Sequence, residues 1–137
     1  VVKYIYQHFG RLCMKNNLTI EEFYKKTGGS YENAHGKYPD NEMLAEETLK
    51  FLHDSSFAEL QTCIAASDYK GAYDSAAALF GLCEKLSFSE LAEAAAKMKE
   101  KLYGQDTFDD IALFGNIKNQ YELVVKELRI LEQENEI

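Results

Sequence analysis

The 137-residue chain carries 15 Lys and Arg against 23 Asp and Glu, a formal net charge of −8, and 46% of its residues are hydrophobic. That length predicts one compact domain, and the hydrophobic share is enough for a core and argues against wholesale disorder. The acidic balance disfavours a surface that neutralises phosphates, so neither nucleic-acid binding nor anionic-membrane binding is expected.

A single proline and eight glycines leave room for long helices. Cys13, Cys63 and Cys83 are too few and too widely spaced for a disulfide framework or a paired-cysteine zinc site. Their odd number suits a reducing compartment, so a cytoplasmic location is expected. Nowhere do eighteen apolar residues follow one another, and the opening stretch has no apolar run of signal-peptide length, so no membrane span is expected.

Residues 1–17 read as an N-terminal extension, and 18–137 as the domain. Within residues 1–13, Val2, Ile5, Phe9 and Leu12 fall on one side of a helix, which suits packing on the domain or pairing with a second copy. The same stretch reads equally well as extraneous sequence ahead of Met14. Thr19-Ile20-Glu21-Glu22 has the spacing of a capping box and opens a short helix that stops at Gly28-Gly29. Pro39-Asp40 starts a helix running to about Asp54, where an interruption is expected, and Ser56-Phe57-Ala58-Glu59 offers a second box. Asp68 can cap a helix from Tyr69 to Leu86. Ser87-Phe88-Ser89-Glu90 offers a third box for the helix that follows, Gly104 ends that helix, and Thr107 can cap a last one from Phe108 to about Glu132.

Apolar residues recur at steps of three and four in these segments: Tyr69, Ala72, Ala76, Leu79, Cys83 and Leu86, then Leu91, Ala95, Met98 and Leu102, then Phe114, Ile117, Tyr121, Val124, Leu128 and Leu131. Leu44, Thr48, Phe51 and Leu52, followed by Phe57, Leu60 and Ile64, make a comparable face. Short connections favour antiparallel neighbours, so the expected fold is all-α, an antiparallel up-down four-helix bundle with additional short N-terminal helices.

Candidate chemistry is thin. Glu32-Asn33-Ala34-His35 has the Glu-x-x-His spacing of carboxylate-bridged metal sites, but it occurs once, where such a site needs two copies and further glutamates. His8 and His53 are read as exposed or capping residues, and no metal or cofactor is expected. The chain has no nucleophile elbow, Gly-rich phosphate loop or dinucleotide fingerprint. The outward side of the Tyr69–Leu86 segment is unusual. At about 100° per residue, Ala77 lies about 130° from the centre of the apolar stripe and is expected to face solvent. Ala78 and Gly81 lie further round, with Tyr73 and Phe80 at the flank, so small residues stand where a surface helix normally carries charge. A glycine inside a helix costs roughly 0.5–1 kcal/mol relative to alanine. Close approach by a partner helix, or cover by the chain's own N-terminal segment, would account for it.

The run from Ala72 through Phe88, reading AYDSAAALFGLCEKLSF, resembles the signature of histidine phosphotransfer (HPt) domains, small α-helical carriers of bacterial phosphorelays. In that family the run reads approximately Ala-His-x-Leu-Lys-Gly, then a few residues, then Leu-Gly-Phe. Further similarity lies in Thr19–Tyr24, Gly28–Tyr31, Lys50-Phe51-Leu52, Ser56-Phe57 and Ala65–Tyr69, so the resemblance covers most of residues 18–132. It implies an HPt-like bundle.

On this alignment the phosphoaccepting histidine falls on Ala77 and the lysine three residues later on Phe80, while Gly81 and Phe88 are kept and Ser87 stands for the glycine. A methyl group offers no nucleophile for a phosphoryl group, and a phenyl ring no cation to offset its charge. The resemblance therefore implies a degenerate, non-enzymatic member that docks a response-regulator receiver domain or a kinase regulatory domain without phosphoryl transfer. The docking residues expected are Tyr73, Ala77, Ala78, Phe80, Gly81 and Glu84. The alternative is a structural or self-associating bundle, a homodimer among its forms, with no remaining phosphorelay role. A weaker third possibility is a carrier that uses His35 or His53.

Overall fold

In the computed structural model, which describes residues 19–134, every regular element is helical. The expectations for residues 1–17 fall outside the described residues. Helices α1 (Ile20–Thr27), α2 (Tyr31–Lys37) and α3 (Asn41–Leu49) and a 3-10 turn at Lys50–His53 lead into α4 (Ser56–Ala65), α5 (Tyr69–Leu86), α6 (Ser89–Leu102) and α7 (Ile111–Glu134). Among the described residues there is no strand, and no helix is long and apolar enough to cross a membrane.

Several helix starts follow the sequence directly. The hydroxyl of Thr19 accepts from the Glu22 N–H at 3.0 Å, and the Glu22 carboxylate accepts from the Thr19 N–H at 3.1 Å, which completes the capping box. Gly28, at φ 74°, ends α1 in the left-handed conformation that glycine adopts without steric cost. Asp40 and Asp68 cap α3 and α5 by accepting from the N–H groups of Glu42 and Gly71.

Three expected starts are corrected. Ser56 does not cap α4; it lies inside the helix, buried, and its N–H donates to the Asp54 carboxylate at 3.0 Å, a charged acceptor that outcompetes a hydroxyl at a helix N-terminus. Ser87 closes α5 instead of opening α6, because its backbone is left-handed (φ 61°) and its carbonyl is already taken by the N–H of Ser30. The last helix starts at Ile111, not Phe108, since Asp110 accepts from the Leu113 N–H at 3.0 Å and leaves Thr107 in the preceding loop.

The hydrophobic stripes become the core. Ala72, Ala76, Leu79, Cys83 and Leu86 of α5, Leu91, Ala95, Met98 and Leu102 of α6, and Ile117, Val124, Leu128 and Leu131 of α7 are buried. Tyr69, Phe114 and Tyr121 pack against them half-buried. Helix α5 packs most extensively on α6 and α4, α6 packs on α7, and α7 also meets α1 and α3.

One corner gathers groups that periodicity does not announce. Phe88, between α5 and α6, is buried among Phe23, Tyr24 and Phe51, with ring centroids 5.6, 5.9 and 5.2 Å away. Around it the N-terminal helices satisfy the free carbonyls that every helix end leaves. The Tyr24 hydroxyl donates to the Leu86 carbonyl at 2.6 Å, the Ser30 N–H donates to Ser87 O at 2.9 Å, and the Lys37 ammonium donates to Glu84 O at 2.8 Å and Lys85 O at 3.3 Å. A cation at a helix C-terminus is favoured by the macrodipole as well as by the hydrogen bonds. Gly29 permits this approach: a Cβ there would stand 2.6 Å from the Tyr24 ring and 2.8 Å from Ser87 O.

Removing the buried hydroxyl leaves the Leu86 carbonyl without its donor, so Tyr24→Phe is expected to cost about 1–2 kcal/mol in urea unfolding. Burial, and then the neighbouring Tyr38, push the Tyr24 phenol above its ordinary value of 10.0. The native chain thus holds a proton that the unfolded chain releases, and stability is expected to fall as pH rises past 10.0, with a shallower fall in Tyr24→Phe. Gly29→Ala is expected to lower stability as well, read by the same unfolding midpoints.

Candidate functional site

The six expected docking residues all sit on α5. Tyr73, Ala77, Phe80 and Glu84 follow one another at steps of four, three and four and so form one flank, while Ala78 and Gly81 lie further round on the open side. Ala78, Gly81 and Glu84 are exposed; Tyr73, Ala77 and Phe80 are half-buried. The expectation that Ala77 faces solvent is therefore met only in part, because the flank that carries it is the one along which α6 runs. The contacts at either end define that flank: the Tyr73 ring lies 5.6 Å from the Tyr103 ring, and the Lys99 ammonium lies 4.9 Å from the centre of the Phe80 ring.

Lys99 and Tyr103 were not among the residues singled out from the sequence. Their signal was available, since Ala92, Ala96 and Lys99 of α6 and Tyr103, just past its end, repeat the same spacing. What the sequence lacked was which flank of α6 turns toward α5. Tyr73 and Tyr103, with Lys70, Leu102 and Gly104, line a cavity of about 300 Å³ at one end of this seam.

Gly81, like the helical Gly36 and Gly115, has open space where a side chain would go. It lies within α5, and a Cβ built on it would meet nothing within 4 Å. Neither a left-handed backbone nor a close neighbour within the described residues asks for glycine there, so its helix cost of roughly 0.5–1 kcal/mol is not offset by packing.

The nucleophiles available to this face are few. The three histidines of the chain are His8, His35 and His53, none of them on α5. His35 is exposed on α2 with its ring 5.3 Å from that of Tyr31. His53, also exposed, lines a groove of about 340 Å³ beside the C-terminal half of α5. Glu47 and Asp54 line the same groove together with Lys50 and Lys85, and the Lys50 ammonium is engaged by Glu47 at 2.8 Å. Cys83 faces the core, and burial, followed by the charges of Asp54 and Glu84, pushes its thiol well above the usual range, away from the reactive thiolate. Glu32 and His35 share α2, yet among the described residues no three His, Cys, Asp or Glu side chains gather where one metal ion could be held.

No protein-family model, curated protein or solved structure matches the chain.

Because nothing lies where its side chain would go, Gly81→Ala is expected to raise stability by about 0.5–1 kcal/mol, measured by denaturant unfolding.

Proposed function

We propose that this chain is a non-phosphorylatable HPt-like signalling module of a cytoplasmic phosphorelay. It docks a response-regulator receiver domain, or the regulatory domain of a kinase, through the α5 face around Ala77 and holds it without phosphoryl transfer. The observation that carries this reading is the chemistry of that face. At the aligned position stands a methyl group, at the aligned lysine stands Phe80, and around them Ala78 and Gly81 lie open to solvent. Small exposed residues beside half-buried aromatic rings suit close approach and anchoring by a protein partner better than they suit chemistry.

The fold supports the same reading. Links of three residues (66–68) and two residues (87–88) join α4, α5 and α6, so packed neighbours must reverse direction, and α7 returns along α6 after the 103–110 loop. Four helices connected in this way, with three short helices before them, are what an HPt-like bundle would require. Ser87 adds support for the alignment: it takes the left-handed conformation, φ 61°, at the place where the family has its glycine.

The test pairs the full chain with purified receiver domains from the same genome. A complex is expected, seen by calorimetry, that Gly81→Trp and Phe80→Glu abolish, and phosphorylated receiver is expected to leave no acid-labile phosphate on the chain. In the Ala77→His, Phe80→Lys double variant the imidazole is expected to accept the phosphoryl group from the receiver aspartate. Acid-labile label on His35 or His53 of the parent would overturn the reading in favour of an active carrier. A chain that binds no receiver but runs as a Gly81→Trp-sensitive dimer would replace docking with self-association.

A further inference from the structure

We infer that Lys99 supplies the cation of this docking face, and that the partner group it meets is a carboxylate. The inference rests on the docking reading above and adds to it the second wall of the site and the charge the partner must bring.

The argument starts from where positive charge is free. Of the lysines on α5 and α6, Lys70 pairs with Asp74 at 3.3 Å and Lys101 with Asp110 at 3.6 Å, while Lys85, Lys97 and Lys99 form no ion pair among the described residues; of these three, Lys99 is the one held against a ring of the proposed face. Lys99 forms no ion pair or hydrogen bond among the described residues; its ammonium rests over the Phe80 ring at 4.9 Å. A cation held on a ring face keeps its stem packed and its orientation narrowed while its N–H groups remain unused. In a chain of net charge −8, an unpaired ammonium held over an aromatic ring on this face is well placed to meet an acidic surface.

Geometry puts that ammonium on the proposed face. Phe80 belongs to the same flank as Ala77 and Tyr73, and Lys99 reaches it from the matching flank of α6. The charge that position 80 does not carry is therefore delivered to the same ring from the neighbouring helix. An occupant of this seam has an apolar cleft at Tyr73 and Tyr103, an open glycine at Gly81 and one cation between two helices. A carboxylate-bearing protein surface satisfies all three. A purely apolar surface would bury the ammonium without a partner, at considerable cost.

The experiment compares four full-length chains, the parent, Lys99→Met, Lys99→Arg and Gly81→Trp, against receiver domains from the same genome at two salt concentrations. Lys99→Met keeps an unbranched stem for the Phe80 ring and removes the charge. It is expected to weaken binding roughly tenfold and to lessen the salt dependence, whereas Lys99→Arg retains most of the affinity. Unfolding midpoints of Lys99→Met and parent are expected to agree closely. If Gly81→Trp abolishes binding while Lys99→Met leaves both affinity and salt dependence unchanged, the assignment of Lys99 is overturned and the docking reading stands. If the parent binds no receiver, both fail together.

Discussion

The reversal at Leu86, Ser87 and Phe88 is the constraint on which the arrangement of this molecule depends. A two-residue link between helices of eighteen and fourteen residues fixes their relative direction, and the strain falls on Ser87, a non-glycine residue in a left-handed conformation. That conformation persists because everything around it is tied. The carbonyls of Glu84, Lys85, Leu86 and Ser87 each find a donor from α1, α2 or the turn between them, and Phe88 is buried in aromatic rings. The short N-terminal helices thus act as a clamp on the end of α5. Each hydrogen bond contributes about 1 kcal/mol net, but losing one leaves a carbonyl unpaired next to a strained residue, so the set acts together.

That clamp has a consequence for the candidate site, which runs from about one to about four turns back along α5. Fixing the α5–α6 corner also fixes which flank of α5 lies along α6, and with it the pairing of Tyr73 with Tyr103 and of Phe80 with Lys99. Two rigid helices present this seam, and surfaces built on rigid elements hold their geometry better than loops do. A partner would meet side chains that are already placed, with little ordering left to do on association.

Much of the fold was legible because apolar spacing and capping chemistry are local. Thr19 with Glu22, Asp40 and Asp68 announce their helices through atoms within three residues, and the stripes of α5, α6 and α7 fall on the buried face as their period requires. The failures arose where another group takes the place of the expected cap, a tertiary partner in one case and a neighbouring aspartate in the other two. Ser87 had the spacing of a cap but was claimed by Ser30, Ser56 yielded to the charged Asp54, and Thr107 to Asp110. At the candidate face, residues on α5 could be named from the helical period of that one segment. Lys99 and Tyr103 could not, because their relevance depends on the rotation of α6 about its own axis, which is set by the corner and by contacts with α7.

The relation between Phe80 and Lys99 shows how a ring can hold at a surface a charge it does not itself carry. A lysine at position 80 would place its ammonium at the end of its own stem; a phenylalanine there cannot, but its ring face attracts an ammonium from elsewhere. Lys99 is at the right height on α6 to provide one, and its half-buried stem covers apolar surface that the ring would otherwise expose. Electrostatic attraction toward an acidic partner needs only a charge at roughly the right place, whereas phosphoryl transfer needs a nitrogen lone pair aligned on one atom. Holding and transferring make unequal demands on precision, and a face that meets only the looser requirement would be suited to holding a partner in place.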